Sequence, residues 1–499
     1  MEMIVQVLGS LFHPLALGVN IFGVVLGIIF GAMPGLNGVV GVALLLPLTY
    51  GLSPANGLMM LGGLYMGATY GGSISAILLN CPGTGEAACT ALNGNPLARQ
   101  GRAMEALSYS ALSSGIGGMF GTLVMLFFTP VLAKMALKFG PPELFLVCLA
   151  GLAVVGSLMD KSMAKGFFAV GVGLVLSMVG MDTMSSNYRF TFGSADLQAG
   201  LNLIPVSVGF FAIAEMLDLM NQSGENGEIC SELKPFSVRE ALAGCLSRWW
   251  VILKSSVIGT IIGILPGTGG AIASFIAYGE AKRTSKEGAL FGKGSIDGIV
   301  APESANNAAV GGSFVPLMSL GIPGSATSAI IFGALTVHGL IPGPRLFVNN
   351  ADVVYTMMLG LVLSVVFMVI IGLGGVKFFA KVLKIDKKVI VPAVLAFSLI
   401  GAYSARNSMF DVLVAIVFGV AGLICKRAKI PVAPIILGMI LGTMAEENLR
   451  RAMTIASAKS LSLVGYIVMR PVSLVVLALV ALLIAGNVYS SCKQRKAKN

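Results

Sequence analysis

Four proline-glycine pairs, each followed by small or oxygen-bearing residues, carry the chemistry this sequence offers. They are Pro34-Gly35 with Asn37 and Gly38, Pro82-Gly83-Thr84 preceded by Asn80, Pro266-Gly267-Thr268-Gly269, and Pro323-Gly324-Ser325. Proline lacks an amide hydrogen and glycine tolerates a turn, so each pair ends a helix. Asn37, Thr84, Thr268 and Ser325 are residue types that cap the next one. A helix start presents free N–H groups and about half a positive charge, so four converging starts would offer about +2 without a lysine. Such a cradle suits a multiply charged carboxylate. A single pair is equally well an ordinary turn at a membrane surface.

A second constellation is Glu303 with Ser304, Asn306 and Asn307, following Pro302 in strongly apolar surroundings. An ionisable residue at membrane depth is functional by default. A carboxylate with amide oxygens suits a hard cation such as sodium, or a proton. The competing reading is structural: Pro302-Glu303 as the first turn of a helix at the cytoplasmic surface. Ser73, Ser75 and Ser313 near the breaks are neutral groups that bind substrate or bond across helices. Arg99 and Arg345 meet an anion or anchor at the interface.

The elements that must position these residues are membrane helices. Of 499 residues, 56% are hydrophobic and only 11% charged, which excludes an ordinary soluble protein. Apolar runs at Leu15–Ile29, Gly166–Val179, Val353–Leu373 and Val472–Ile484 fit or approach the span a bilayer needs. The expected fold is all-α and polytopic, with about twelve segments, some broken or re-entrant. The formal charge of +11 sits in short loops and the tail, a topogenic pattern that gives no sign of nucleic-acid binding. Seven cysteines without CxxC spacing and two histidines point to no disulfide framework, structural metal or cofactor. Leu15–Ile29 lacks the basic start and cleavage site of a signal peptide.

The motifs recur in order. Gly31–Gly38 answers Gly263–Gly270, and Gly71-Gly72-Ser73 with Pro82-Gly83-Thr84 answers Gly311-Gly312-Ser313 with Pro323-Gly324-Ser325. Loop charge gives the orientation. The loop near Thr49–Asn56 has no basic residue, whereas its counterpart Glu280–Lys293 carries Lys282, Arg283, Lys286 and Lys293; after the second break the bias reverses. The expectation is two inverted-topology repeats, 1–220 and 247–499, joined by a cytoplasmic linker at 221–246, with the N-terminus periplasmic and the basic tail cytoplasmic. Lys134 and Lys138 run against this scheme.

The motif set resembles the large membrane subunit of the tripartite tricarboxylate transporter family (TctA family). The resemblance is carried by Pro34-Gly35-Leu36-Asn37-Gly38, Tyr70-Gly71-Gly72-Ser73, Gly180-Met181-Asp182 with Arg189–Gly193, Ala301–Ala308, Leu320–Ser325 and His338–Pro344. It implies the transporting subunit of a bacterial inner-membrane importer of citrate and related carboxylates, driven by an ion gradient, usually sodium. The implied partners are a small four-helix membrane subunit and a periplasmic solute-binding protein, beside membrane lipid; homodimerisation is left open. Asn93 stands where the family usually has aspartate. The outward loop Asp182–Gly200, with Asp182 and Arg189, is the expected docking surface. The rival readings are a passive organic-anion channel and a membrane-embedded hydrolase, for which GxSxG and HExxH are absent.

Overall fold

The structure is a computed structural model that describes residues 2–33, 35–158, 163–182, 184–221, 236–383, 387–474 and 477–478. Pro34, most of the expected linker (222–235) and the basic tail lie outside the described residues.

The core helices are α1 (Pro14–Ala32), α2 (Gly38–Leu45), α3 (Pro54–Leu79), α4 (Ala88–Leu97) and α5 (Ala103–Ala136) in the first half. A short antiparallel hairpin, β1 (Gly180–Met181) and β2 (Tyr188–Arg189), interrupts the helical chain. In the second half follow α6 (Val238–Ser247), α7 (Trp249–Ile264), α8 (Gly269–Thr284), α9 (Asp297–Leu320), α10 (Ala326–Val337), α11 (Ala351–Gly374) and α12 (Ala433–Ala458). Among the described residues five helical runs are long and apolar enough to cross a membrane: Pro14–Ala32, Gly85–Ala136, Leu203–Met220, Ala351–Gly374 and Met409–Arg427. The pair α6 and α7, bent by 76° at Arg248, makes a sixth if it is one span. The stretch expected at Gly166–Val179 forms the shorter helix Met163–Ser177.

Two helices occupy the centre. Every residue of α3 from Gly57 to Leu78, and of α9 from Asp297 to Ser319, is buried. A helix without a polar face has no surface to offer water, and one surrounded on all sides must be thin where it meets its neighbours. Glycine supplies that thinness. A Cβ at Gly27 or Gly31 of α1 would lie 2.3 or 2.1 Å from the carbonyl oxygens of Leu64 and Ala68 on α3. On α7, a Cβ at Gly259 or Gly263 would lie 2.1 or 2.4 Å from those of Ala305 and Ala309 on α9. Only glycine allows backbones so close.

The breaks also match. Met33 and Leu265 end α1 and α7 in extended conformations, and each is followed by a glycine with positive φ, Gly35 at 87° and Gly267 at 74°. α3 and α9 both stop at a left-handed residue, Asn80 with φ 52° and Gly321 with φ 75°. The second Pro-Gly of each half returns to its first: Gly83 sits against the carbonyl of Gly31, and Gly324 against that of Gly263.

Along α6 the apolar residues Val238, Leu242 and Leu246 are exposed at helical spacing, while Ala241 and Cys245 are buried. This helix is therefore amphipathic, one face turned outward with Trp249 and Trp250 beside it.

Candidate functional site

All four breaks reach one cavity of about 200 Å³. Asn37, Gly38 and Val39 line it from the start of α2; Thr84, Gly85 and Glu86 from the turn before α4; Ala271 from the start of α8; and Thr327 from the start of α10. Tyr65 and Thr69 of α3 complete the wall. The starts pair across the halves. A Cβ at Gly38 would come within 3.9 Å of Thr327, and one at Gly85 within 3.8 Å of Ala271. Tyr65 Oη and Ser325 Oγ are 3.0 Å apart.

Capping divides the expected residues. Asn37 Oδ1 accepts from Val40 N–H at 3.0 Å, and Ser325 Oγ accepts from Ser328 N–H at 3.1 Å in a reciprocal box. These two cap as their residue types require. Thr268 does not: its hydroxyl turns back to donate to Ile262 and Leu265 carbonyls, closing the end of α7. Thr84 caps nothing either, because only a three-residue turn (Gly85–Ala87) follows it before α4; its buried Oγ1 lies against the Glu86 side chain.

Of the residues expected to bind substrate, Asn37, Gly38 and Thr84 line the cavity. Gly35, Gly83, Pro266, Gly267, Gly269, Pro323 and Gly324 build the turns behind it, Gly267 N–H donating to Gly324 O at 3.0 Å. Asn80 and Pro82 are exposed and outside it. Pro34 lies outside the described residues. Arg99 is exposed and donates to Asn95 Oδ1 at 2.9 Å, away from the lining. Glu86 escaped the sequence reading. Its signal was a carboxylate three residues after Pro82-Gly83, inside a segment otherwise of small residues.

Glu303 is completely buried. The structure overturns its reading as a first-turn surface residue, because α9 begins at Asp297 and Pro302 lies inside the helix. Five neutral donors surround its carboxylate. Ser73 Oγ (2.5 Å), Thr90 Oγ1 and Asn306 Nδ2 (3.4 Å) donate to Oε1. Ser110 (3.1 Å) and Ser114 (2.7 Å) donate to Oε2. These groups come from α3, α4, α5 and α9 itself. No cationic side chain is among the donors, and such a carboxylate would be costly without them. Asn306 Oδ1 and Asn307 Oδ1 are buried nearby with no hydrogen-bond partner among the described residues. Ser304 takes no part: its hydroxyl bonds Val300 O at 2.8 Å and its backbone packs on Gly117.

Asn93 has a clear structural task. Its Oδ1 accepts from Gly292 N–H (2.8 Å) and Ser295 N–H (3.2 Å), and its Nδ2 donates to Tyr278 (3.1 Å). It ties α4 to the loop preceding α9.

Asp182 and Arg189 are not free to dock. Asp182 is 4% exposed and accepts from Arg450 at 2.6 Å, while Arg189 pairs with Glu446 at 2.7 Å. Both hold the hairpin against α12. The outward side chains of this loop are instead Met181, Met184, Tyr188, Phe190 and Phe192.

Helices long and apolar enough for a bilayer, packed around a buried polar interior, define an all-α, multi-pass membrane protein. The particular family follows from comparison with known proteins: residues 17–437 match the model of the tripartite tricarboxylate transporter TctA family, and the chain belongs to that family. It is a family of transporters whose tripartite organisation implies partner subunits and a binding protein. The chain is 38% identical over 435 residues to an uncharacterized 52.8 kDa protein in the TAR-I ttuC' 3' region of Agrobacterium vitis, covering 87% of this chain and 86% of that protein. It is 40% identical over 198 residues to an uncharacterized protein in the TAR-II ttuC' 3' region of the same organism, covering 40% of this chain and 82% of that one. No solved structure matches.

Proposed function

We propose that the protein is the large subunit of a sodium-coupled, or proton-coupled, importer of citrate or a related carboxylate. The observation that carries this reading is the meeting of four helix breaks at one cavity. The N–H groups there favour an anion and the wall carries no lysine, arginine or histidine. Glu303 with the free oxygens of Asn306 and Asn307 is the coupling site in this proposal. It adjoins the cavity through α3 and α4, since Thr69 and the turn holding Glu86 face the cavity while Ser73 and Thr90 reach Glu303.

The matched breaks and the matched glycine contacts of α1 with α3 and α7 with α9 support two inverted repeats divided at 221–246. About twelve segments, the bacterial inner membrane, a periplasmic N-terminus and a cytoplasmic C-terminus complete the reading. Alternating access then moves one bundle against another about the central cavity. A small four-helix membrane subunit and a periplasmic binding protein are the proposed partners, the latter on the exposed face of the hairpin. Transport of labelled citrate into vesicles, with and without a sodium gradient and the cognate binding protein, tests the function. Uptake that only equilibrates and ignores the gradient supports a passive channel instead.

A further inference from the structure

Glu86 places a carboxylate in a cavity whose other features favour a bound carboxylate. Its side chain projects from the turn before α4, against Gly270 at the start of α8, where a Cβ would lie 2.8 Å from Glu86 Cγ. The polar wall around it is neutral at physiological pH: Asn37, Tyr65, Thr69, Thr84 and Thr327. Titratable groups on the packed elements are few. α3 brings Tyr65, which is bonded to Ser325, and Tyr70; α4 brings Cys89; α9 brings Glu303, which is enclosed by its own five donors, and at its start Asp297, paired with Arg248. α8 presents Gly270 and Ala271 here and carries Tyr278, Glu280, Lys282 and Arg283 toward its other end. α2 and α10 add no titratable group at their starts.

Two carboxylates in so small a space cannot both remain charged without a partner; paired acids solve this by sharing a proton. A protonated carboxyl also becomes a hydrogen-bond donor, which an incoming carboxylate can accept from. Thr84 Oγ1, buried against the Glu86 side chain, supplies another donor. Sodium in place of the proton would require several converging oxygens.

We propose that Glu86 determines the specificity of the cavity: a substrate carboxylate binds only with Glu86 protonated, so one proton enters the site with each anion. This rests on the cavity being the substrate site. The test is calorimetric binding of citrate, and of succinate as a probe fully ionised in this range, to the purified full-length protein from pH 6.5 to 8.5 at fixed sodium. Wild type, E86Q, E86A, N37A and T84V are compared. The expected result is a wild-type affinity that falls with pH relative to E86Q and E86A, the difference approaching about tenfold per pH unit where Glu86 of the unliganded protein is ionised, as uptake of one proton requires. At pH 8.5 both Glu86 variants then bind at least about tenfold more tightly than wild type.

The proposal is overturned if E86Q and E86A keep the wild-type slope, or bind more weakly at every pH. It is overturned in favour of a metal cation if added sodium alone brings wild type at pH 8.5 to the E86Q affinity. If N37A and T84V weaken binding while the Glu86 variants keep the slope, the cavity reading stands and the role of Glu86 is rejected. If N37A and T84V bind as wild type does, or if neither wild type nor E86Q binds either probe, the cavity is not the substrate site and the proposal falls with it.

Discussion

At the scale of single residues, Glu303 is the sharpest case, because its energetics depend on whether its charge or its hydrogen bonds matter. Glutamine keeps the shape and an acceptor oxygen while removing the charge. E303Q is expected to fold and to exchange labelled citrate across vesicles at equal concentration, but to lose at least about tenfold of gradient-driven accumulation, if coupling resides there. E303A should instead be unstable, since it strands four buried hydroxyls and an amide at about 1–3 kcal/mol for each left unsatisfied. Melting of the two variants in detergent separates charge from packing. Asn93 makes the opposite prediction. Aspartate keeps the two accepted N–H bonds, and Tyr278 can donate in place of accepting, so N93D should match wild type in stability and uptake. N93A should lose about 1–3 kcal/mol for each backbone N–H left unpaired.

At the scale of elements, helix ends and glycine contacts set the positions of the functional groups. Removing the Ser325 cap by S325A should cost about 1 kcal/mol and loosen the start of α10, visible as faster amide exchange over 326–329. G31A and G263A should each disrupt a backbone contact that has no room for a methyl group, and should lower the melting temperature more than G18A, where nothing lies within 4 Å. The breaks themselves were legible in sequence because proline and glycine act locally. Capping was legible only in part: Asn37 and Ser325 do what their side chains predict, but whether a helix or a three-residue turn follows Thr84 is decided by packing. The shell of Glu303 was less legible still. Ser73 stood out by its place near a break, whereas Thr90, Ser110 and Ser114 lie inside helices with no local mark and, like Ser73, meet the carboxylate only through tertiary structure. Glu86 was overlooked because no local rule separates a cavity carboxylate from one at a helix start.

At the scale of the whole molecule, the two halves share one interior, and the hairpin is fastened to α12 from outside it. The N–H groups of Met184 and Ser185, and then Arg450, hold the Asp182 carboxyl well below the usual aspartate range. With the folded value depressed, its contribution is complete above the ordinary aspartate value and is lost only as pH falls through the folded one. Amide exchange in 184–193 should therefore show the same protection at pH 5 as at pH 7, after correction for intrinsic rates, and R450A should raise exchange at both. An aspartate whose value did not change on folding would contribute no stability for R450A to remove, and R450A would then leave exchange as it is in wild type.

The proposed function is coupled transport through the cavity where the four breaks meet. The most direct measurement is labelled-citrate accumulation in proteoliposomes containing this chain and its small membrane partner, supplied with the binding protein, under an inward sodium or proton gradient. Accumulation above the external concentration, abolished by collapsing the gradient and impaired by N37A, is the predicted result. Uptake that stops at equilibrium whatever the gradient, or accumulation untouched by N37A, would contradict it.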